Sequence, residues 1–205
     1  MPGPWRGGSS VARQAELERS TRETRVKVQL ELDGTGGSEV KTGVGLLDHL
    51  LTLWAAHGCF DLTLEAAGDT WVDDHHSVED VGLTLGTAFG RALGEKRGLR
   101  RYGVALLPMD EALVRVVVDL SGRPYLHYNV SFSSPSIGSF AVELLPEFLR
   151  AFATEARLTL HMDLLHGANG HHIAEAMFKG LGRALREAAA LDPRVQGVPS
   201  TKGVL

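Results

Sequence analysis

Two short stretches concentrate side chains that bind metals. DDHHSVED spans residues 73–80 and GHHIAEAMF begins at Gly170, and both contain His-His-x-x-Glu. Residues four apart on a helix share one face. His75 with Glu79, and His171 with Glu175, can therefore each grip a single ion. The adjacent histidine points about 100° away around the axis, so His76 and His172 naturally serve a different ion from their neighbours. Two doublets give four histidines and two glutamates, a set that suits two divalent ions rather than one. Nitrogen and carboxylate ligands without sulfur point to Mn2+, Fe2+, Ni2+ or Zn2+. A single histidine pair at a helix N-terminus is better read as a cap or a solvated group. Recurrence of the same spacing, once inside an acidic run, turns the balance toward metal binding.

Elements that position these residues are legible around them. Residues 1–20 are rich in Gly, Pro, Ser and charge without a sustained period and read as a disordered tail. Val26, Val28, Leu30 and Leu32 alternate with polar residues, the run 33–37 supplies turn chemistry, and Ser38 to Thr42 continues, which predicts a β-hairpin with one wet face. Leu46, Leu47, Leu50, Leu51, Trp54 and Ala55 form a helical stripe ending at His57-Gly58, where the glycine is expected to take the left-handed conformation. A strand from Phe60 to Ala66 and a helix from the first doublet to Gly94 follow. The next block repeats the order: strands over Met109 to Leu120 and Tyr125 to Phe132, a loop at 133–139, a helix over 142–156, a strand over 157–164 and a long helix over 171–190.

The repeat defines an internal duplication, an α+β fold in which each half is a roughly four-stranded sheet with two helices on one face. The boundaries are 21–98 and 99–190, with 191–205 as a C-terminal tail. Laying the segment from Leu46 over that from Leu144 places Asp48-His49 opposite Pro146-Glu147, which makes His49 and Glu147 the natural further ligands.

A chain of 205 residues with 43% apolar content and a net charge of −4 can bury a sizeable core and carries no basic footprint for nucleic acid. Its one cysteine, Cys59, excludes an internal disulfide and a thiolate metal cluster. No apolar run approaches the roughly 20 residues of a membrane span, and a cytoplasmic location is expected. Arg101, Arg123, Lys179, Ser200 and Lys202 supply guanidinium forks, ammonium groups and a hydroxyl, the inventory for one phosphate. Composition leaves open whether they converge. His161 reads as a packed core residue, His127 and His166 have no partner pattern, and His57 suits a helix C-terminus.

LLDHLL, HGCFDL, DDHHSVEDVG, RRYG, MDEA, SGRP, GANGHHIAEAMFK and PSTKGVL occur in that order, and together they resemble the imidazoleglycerol-phosphate dehydratase family of histidine biosynthesis over about residues 20–205. The resemblance implies a hydro-lyase that converts D-erythro-imidazole-glycerol phosphate to imidazole-acetol phosphate. It also implies two Mn2+ ions per active site and a homo-oligomer of 24 subunits with sites between chains. It carries over His49, His75, His76, Glu79, His171, His172 and Glu175 as metal ligands. Glu147 stands where many relatives have histidine. Arg101, Arg123, Lys179, Ser200 and Lys202 become the phosphate set, and Glu23, His57 and Asp110 become substrate contacts. Leu53 departs from a polar position. The implied chemistry is expulsion of hydroxyl from a metal-bound imidazolate through a diazafulvene-like intermediate, with Glu23 as the proton-transfer residue beside His76, His172 and Glu175 in the catalytic set. Two other readings share these residues: a dinuclear metallohydrolase, and a non-enzymatic, metal-organised assembly protein whose basic residues would stay apart.

Overall fold

The computed structural model describes residues 12–205. The tail expected over 1–20 lies outside that range as far as residue 11, and its remainder is a strand. Strand β1 (Gln14–Ser20) pairs antiparallel with β2 (Thr24–Glu31), so the first hairpin is β1–β2. The expected hairpin between β2 and β3 (Ser38–Lys41) does not form, because β4 (Asp61–Gly68) inserts between them in the order β1-β2-β4-β3. β3 runs parallel to β4. Adjacent parallel strands need a crossover, and helix α1 (Gly45–Gly58) supplies it. α1 closes on Cys59, whose φ of 53° takes the left-handed position expected of Gly58. Helix α2 (His75–Leu93) completes the half.

The second half repeats the path. Strands β5 (Tyr102–Met109) and β6 (Ala112–Asp119) form a hairpin where the sequence reading had one strand beginning at Met109. β7 (Tyr125–Asn129) is followed by a small β8–β9 ribbon (Ser136–Ile137, Phe140–Ala141) in what was read as loop. Then come helix α3 (Leu144–Glu155), strand β10 (Thr159–His166) and helix α4 (Gly170–Ala189). The order β5-β6-β10-β7, with β7 parallel to β10, matches the first sheet strand for strand. The duplication is thus present in topology as well as in motif.

Both helix pairs lie between the two sheets, each on the apolar face of its own sheet. Across the midplane the pairing is crossed: α1 packs on α4, and α2 on α3. Trp54, Phe60, Phe89, Phe148, Phe152 and Phe178 are fully buried there. Close approach of the backbones depends on glycine. A Cβ on Gly182 would lie 2.4 Å from the Trp54 carbonyl oxygen, and one on Gly86 would lie 2.5 Å from that of Phe152.

His161 lies on the face of β10 turned away from the helices and is half-buried, its ring 5.1 Å from that of His127, so it is not the core residue expected from the apolar strand. Strand alternation places it: Leu160 and Met162 take the core face, leaving residue 161 on the other.

Gly182→Ala should destabilise the fold although alanine has the higher helix propensity, because the added carbon has no room beside Trp54. The expected loss is about 1–3 kcal/mol in urea unfolding. An unchanged midpoint would show that α1 and α4 are not held at this separation.

Candidate metal centre

Crossed helix packing brings His49 of α1 to His171 and Glu175 of α4. Glu175 Oε1 lies 2.8 Å from His49 Nε2 and 3.0 Å from His171 Nε2. His49 and Glu175 are 126 residues apart in the chain. One ligand atom from each of the three residues lies within 4.8 Å of the others. Ligands about 2.1 Å from a common ion stand roughly 3 Å apart when they are at right angles around it, and the two Glu175–histidine distances match that spacing. Asn169 prepares the end of the helix: its side-chain oxygen accepts from the backbone N–H of His171 at 2.9 Å and of His172 at 3.4 Å.

Glu175 is only 7% exposed. Burial raises its pKa, but Lys179 at 2.5 Å, His49 and His171 outweigh that and bring it down to about 2. The carboxylate is therefore ionised and ready to ligate at any pH near neutral. Lys179, assigned from sequence to the phosphate set, is the counter-ion of Glu175 and also contacts Met109 Sδ.

The first-half counterpart is more open. His75 Nε2 is 3.9 Å from Glu79 Oε2, with both side chains nearly half exposed. Glu147, on α3 beside α2, pairs with Arg150 at 2.5 Å. Among the described residues no hydrogen bond or ion pair joins it to His75 or Glu79.

His76 and His172 point elsewhere, as the helical angle requires. His76 Nδ1 is 3.0 Å from Asp69 Oδ2 and 3.9 Å from Glu23 Oε2. Its pKa is raised, first by the hydrogen bond to Asp69. His172 Nδ1 is 2.7 Å from Glu111 Oε2, and its Nε2 is 3.8 Å from Asp110 Oδ2. Its pKa is raised chiefly by Glu111, and that carboxyl is held down to about 2, mainly by the same bond. Asp69 and Glu111 were missed in the sequence. Asp69 follows a strand-end glycine and Glu111 sits beside Asp110 in a turn, both outside the helical spacing, and only the fold carries them to the rings.

Glu23 is exposed at the β1–β2 turn, where Thr21 Oγ1 accepts from its backbone N–H at 3.1 Å. Arg101 donates to Asp119 at 2.7 and 3.1 Å and to the Pro199 carbonyl at 2.9 Å, which ties the last residues to the second sheet beside Ser200. Arg123 and Lys202 are exposed. Arg101 (φ 76°) and Asp110 (φ 47°) both hold left-handed backbone, a strain that concentrates at functional positions. His57 lines a depression of about 410 Å3 with Arg100, Arg183 and Arg186, and burial lowers its pKa, followed by Lys179 and Arg183. A larger hollow of about 810 Å3 sits at one end of the first sheet among Gln14, Glu31 and Asp61. It contains none of the histidines, and the chemistry does not belong there.

Fold and site together define a duplicated α+β protein with histidine–carboxylate clusters suited to divalent metal ions. The family model described as imidazoleglycerol-phosphate dehydratase matches residues 42–185. Curated proteins of that name from Aromatoleum aromaticum and Caldanaerobacter subterraneus are 58% and 54% identical, each match covering 94% of this chain and 100% of the relative. The solved imidazoleglycerol-phosphate dehydratase of Staphylococcus aureus superposes with a TM-score of 0.80 at 42% identity, covering 87% of this chain and 99% of that one. The Pyrococcus furiosus structure, in complex with (S)-C348, gives 0.81 at 41%, covering 92% and 100%. This chain belongs to the imidazoleglycerol-phosphate dehydratase family.

A pH dependence follows from Glu175. Its folded pKa lies below the ordinary 4.5, so the stability it contributes is fully present above pH 4.5 and is lost as pH falls through about 2. The metal-free protein should lose stability across that window in urea titrations, and Glu175→Gln should flatten the loss. An equal slope in the variant would contradict the assignment.

Proposed function

We propose that this chain dehydrates D-erythro-imidazole-glycerol phosphate to imidazole-acetol phosphate in histidine biosynthesis, acting in the cytoplasm with two Mn2+ ions per active site. The observation that carries the reading is the convergence of His49, His171 and Glu175 from opposite halves of a chain of this family. These three residues hold one ion. His75, Glu79 and Glu147, their counterparts under the duplication, hold the other. His76 and His172, turned away from both clusters, complete the sites of neighbouring copies in a homo-oligomer of 24 subunits, which places the active sites between chains.

Bound ions supply Lewis acidity that fixes the substrate's imidazole and hydroxyl and eases deprotonation of the ring. The protein supplies positioning and proton transfer. The neighbouring hydroxyl leaves as water with the proton given up by the ring, and Glu23, at an exposed hairpin tip near His76, then takes the carbon-bound proton while the ring nitrogen regains one. The resulting enol gains a proton on carbon to give the ketone. Arg101, Arg123, Ser200 and Lys202 anchor the phosphate with Lys179, and His57 and Asp110 contact the rest of the substrate. Binding energy at that remote group aligns the reacting end.

Metal analysis of anaerobically purified protein should give two ions per chain, with dehydration abolished by chelator and restored by Mn2+. Turnover of phosphate esters without dehydration would instead support a hydrolase. Glu23→Gln should lower kcat by about 10²–10⁴-fold with little change in metal content. A kcat within twofold of the parent would remove Glu23 from the mechanism.

A further inference from the structure

The two members of each histidine doublet differ in what holds them. His171 turns Nε2 toward Glu175, and His75 turns Nε2 toward Glu79, so for both the nitrogen facing its own cluster is the same one. His76 and His172 instead bury Nδ1 against a carboxylate. Both Asp69 oxygens lie near His76 Nδ1, at 3.0 and 3.2 Å, and Asp69 is only 7% exposed. Among the described residues His76 Nε2 has no hydrogen-bond or ion-pair partner. Glu111 uses one oxygen on His172 Nδ1 at 2.7 Å and the other to accept from the backbone N–H of Asn169 at 2.8 Å and of Ala168 at 3.3 Å. Its carboxylate is therefore fixed from both ends before it meets the ring.

A carboxylate accepting from Nδ1–H selects the tautomer with its lone pair on Nε2 and sets the ring plane. We propose that Asp69 and Glu111 are positioning residues that hold His76 and His172 with Nε2 presented outward, as ligands for ions held chiefly by other copies of the chain. This rests on the metal-centre reading above and adds the two groups that make the outward histidines competent ligands.

The sources of the two carboxylates are not equivalent under the duplication. Asp69 directly follows β4, and it reaches His76 because Gly68 lets the strand end approach α2: a Cβ there would lie 2.1 Å from Ser77 Oγ. Glu111 comes from the β5–β6 turn, whose first-half counterpart is the turn carrying Glu23. The same ring geometry has thus been reached from two different places in the fold, while duplication alone would have supplied one solution twice. It also separates roles among neighbouring acids. Asp69 and Glu111 lie within hydrogen-bond distance of the rings, whereas Glu23 and Asp110 stand 3.9 and 3.8 Å off and are free to meet substrate.

Calorimetric titration of Mn2+ into metal-free, full-length protein tests the assignment, using Asp69→Asn and Glu111→Gln with Glu39→Gln, an exposed acid paired with Lys41 on β3, as the control. Each positioning variant should bind one class of Mn2+ about 10–100-fold more weakly, lose kcat more than KM, and keep the parent's thermal midpoint when metal-free. Glu39→Gln should leave Mn2+ affinity unchanged. Parent-like Mn2+ affinity in either variant overturns the role of that residue, and a metal-free variant that no longer folds shows a structural role instead. Absence of Mn2+ binding by the parent protein would sink the metal-centre reading itself, a distinct outcome.

Discussion

Everything in the site depends on how closely α1 can approach α4. Three ligand atoms meet because the first helix of one half lies against the second helix of the other, and the separation is set by a glycine under a carbonyl. A side chain at residue 182 or 86 would hold the helices further apart. The aromatic core between the helix pairs, with Trp54 tilted 42° against Phe60 and Phe89 against Phe152, fills the space that the glycines do not. Packing density and ligand geometry are therefore one constraint in this fold.

Electrostatics then decides which groups are ready to bind cations. A carboxylate as buried as Glu175 would ordinarily hold its proton. Lys179 and two imidazoles reverse that and keep it ionised. The same lysine reads from sequence as a free phosphate ligand, and the structure gives it a second duty that ties the anion-binding inventory to the metal side. Arg101 is likewise committed, its guanidinium held by Asp119 and the Pro199 carbonyl. Basic residues here organise the chain before any substrate arrives.

Crossed packing joins both helix pairs, yet one chain shows two unequal clusters. His49, His171 and Glu175 are drawn together by buried helix contacts, whereas His75 and Glu79 lie nearly half exposed and Glu147 pairs with Arg150. At the position equivalent to His49 under the duplication, Glu147 offers a carboxylate rather than an imidazole, with a competing partner on its own helix.

The sequence by itself determined the His-His-x-x-Glu repeat, the helix faces that carry it, the duplication and the α+β class, because helical angle and strand alternation are local properties of the chain. It misplaced strand partners: β2 alternates as expected, yet alternation says nothing about whether β1, β3 or β4 lies beside it. Left-handed closure falls at Cys59 rather than Gly58, while Gly58 leaves room for the Phe60 ring, 2.3 Å from where a Cβ would lie. Only the tertiary structure decided that Asp69 and Glu111 touch the outward histidines and that Lys179 belongs to Glu175. Those are contacts between elements distant in sequence, and no periodicity encodes them.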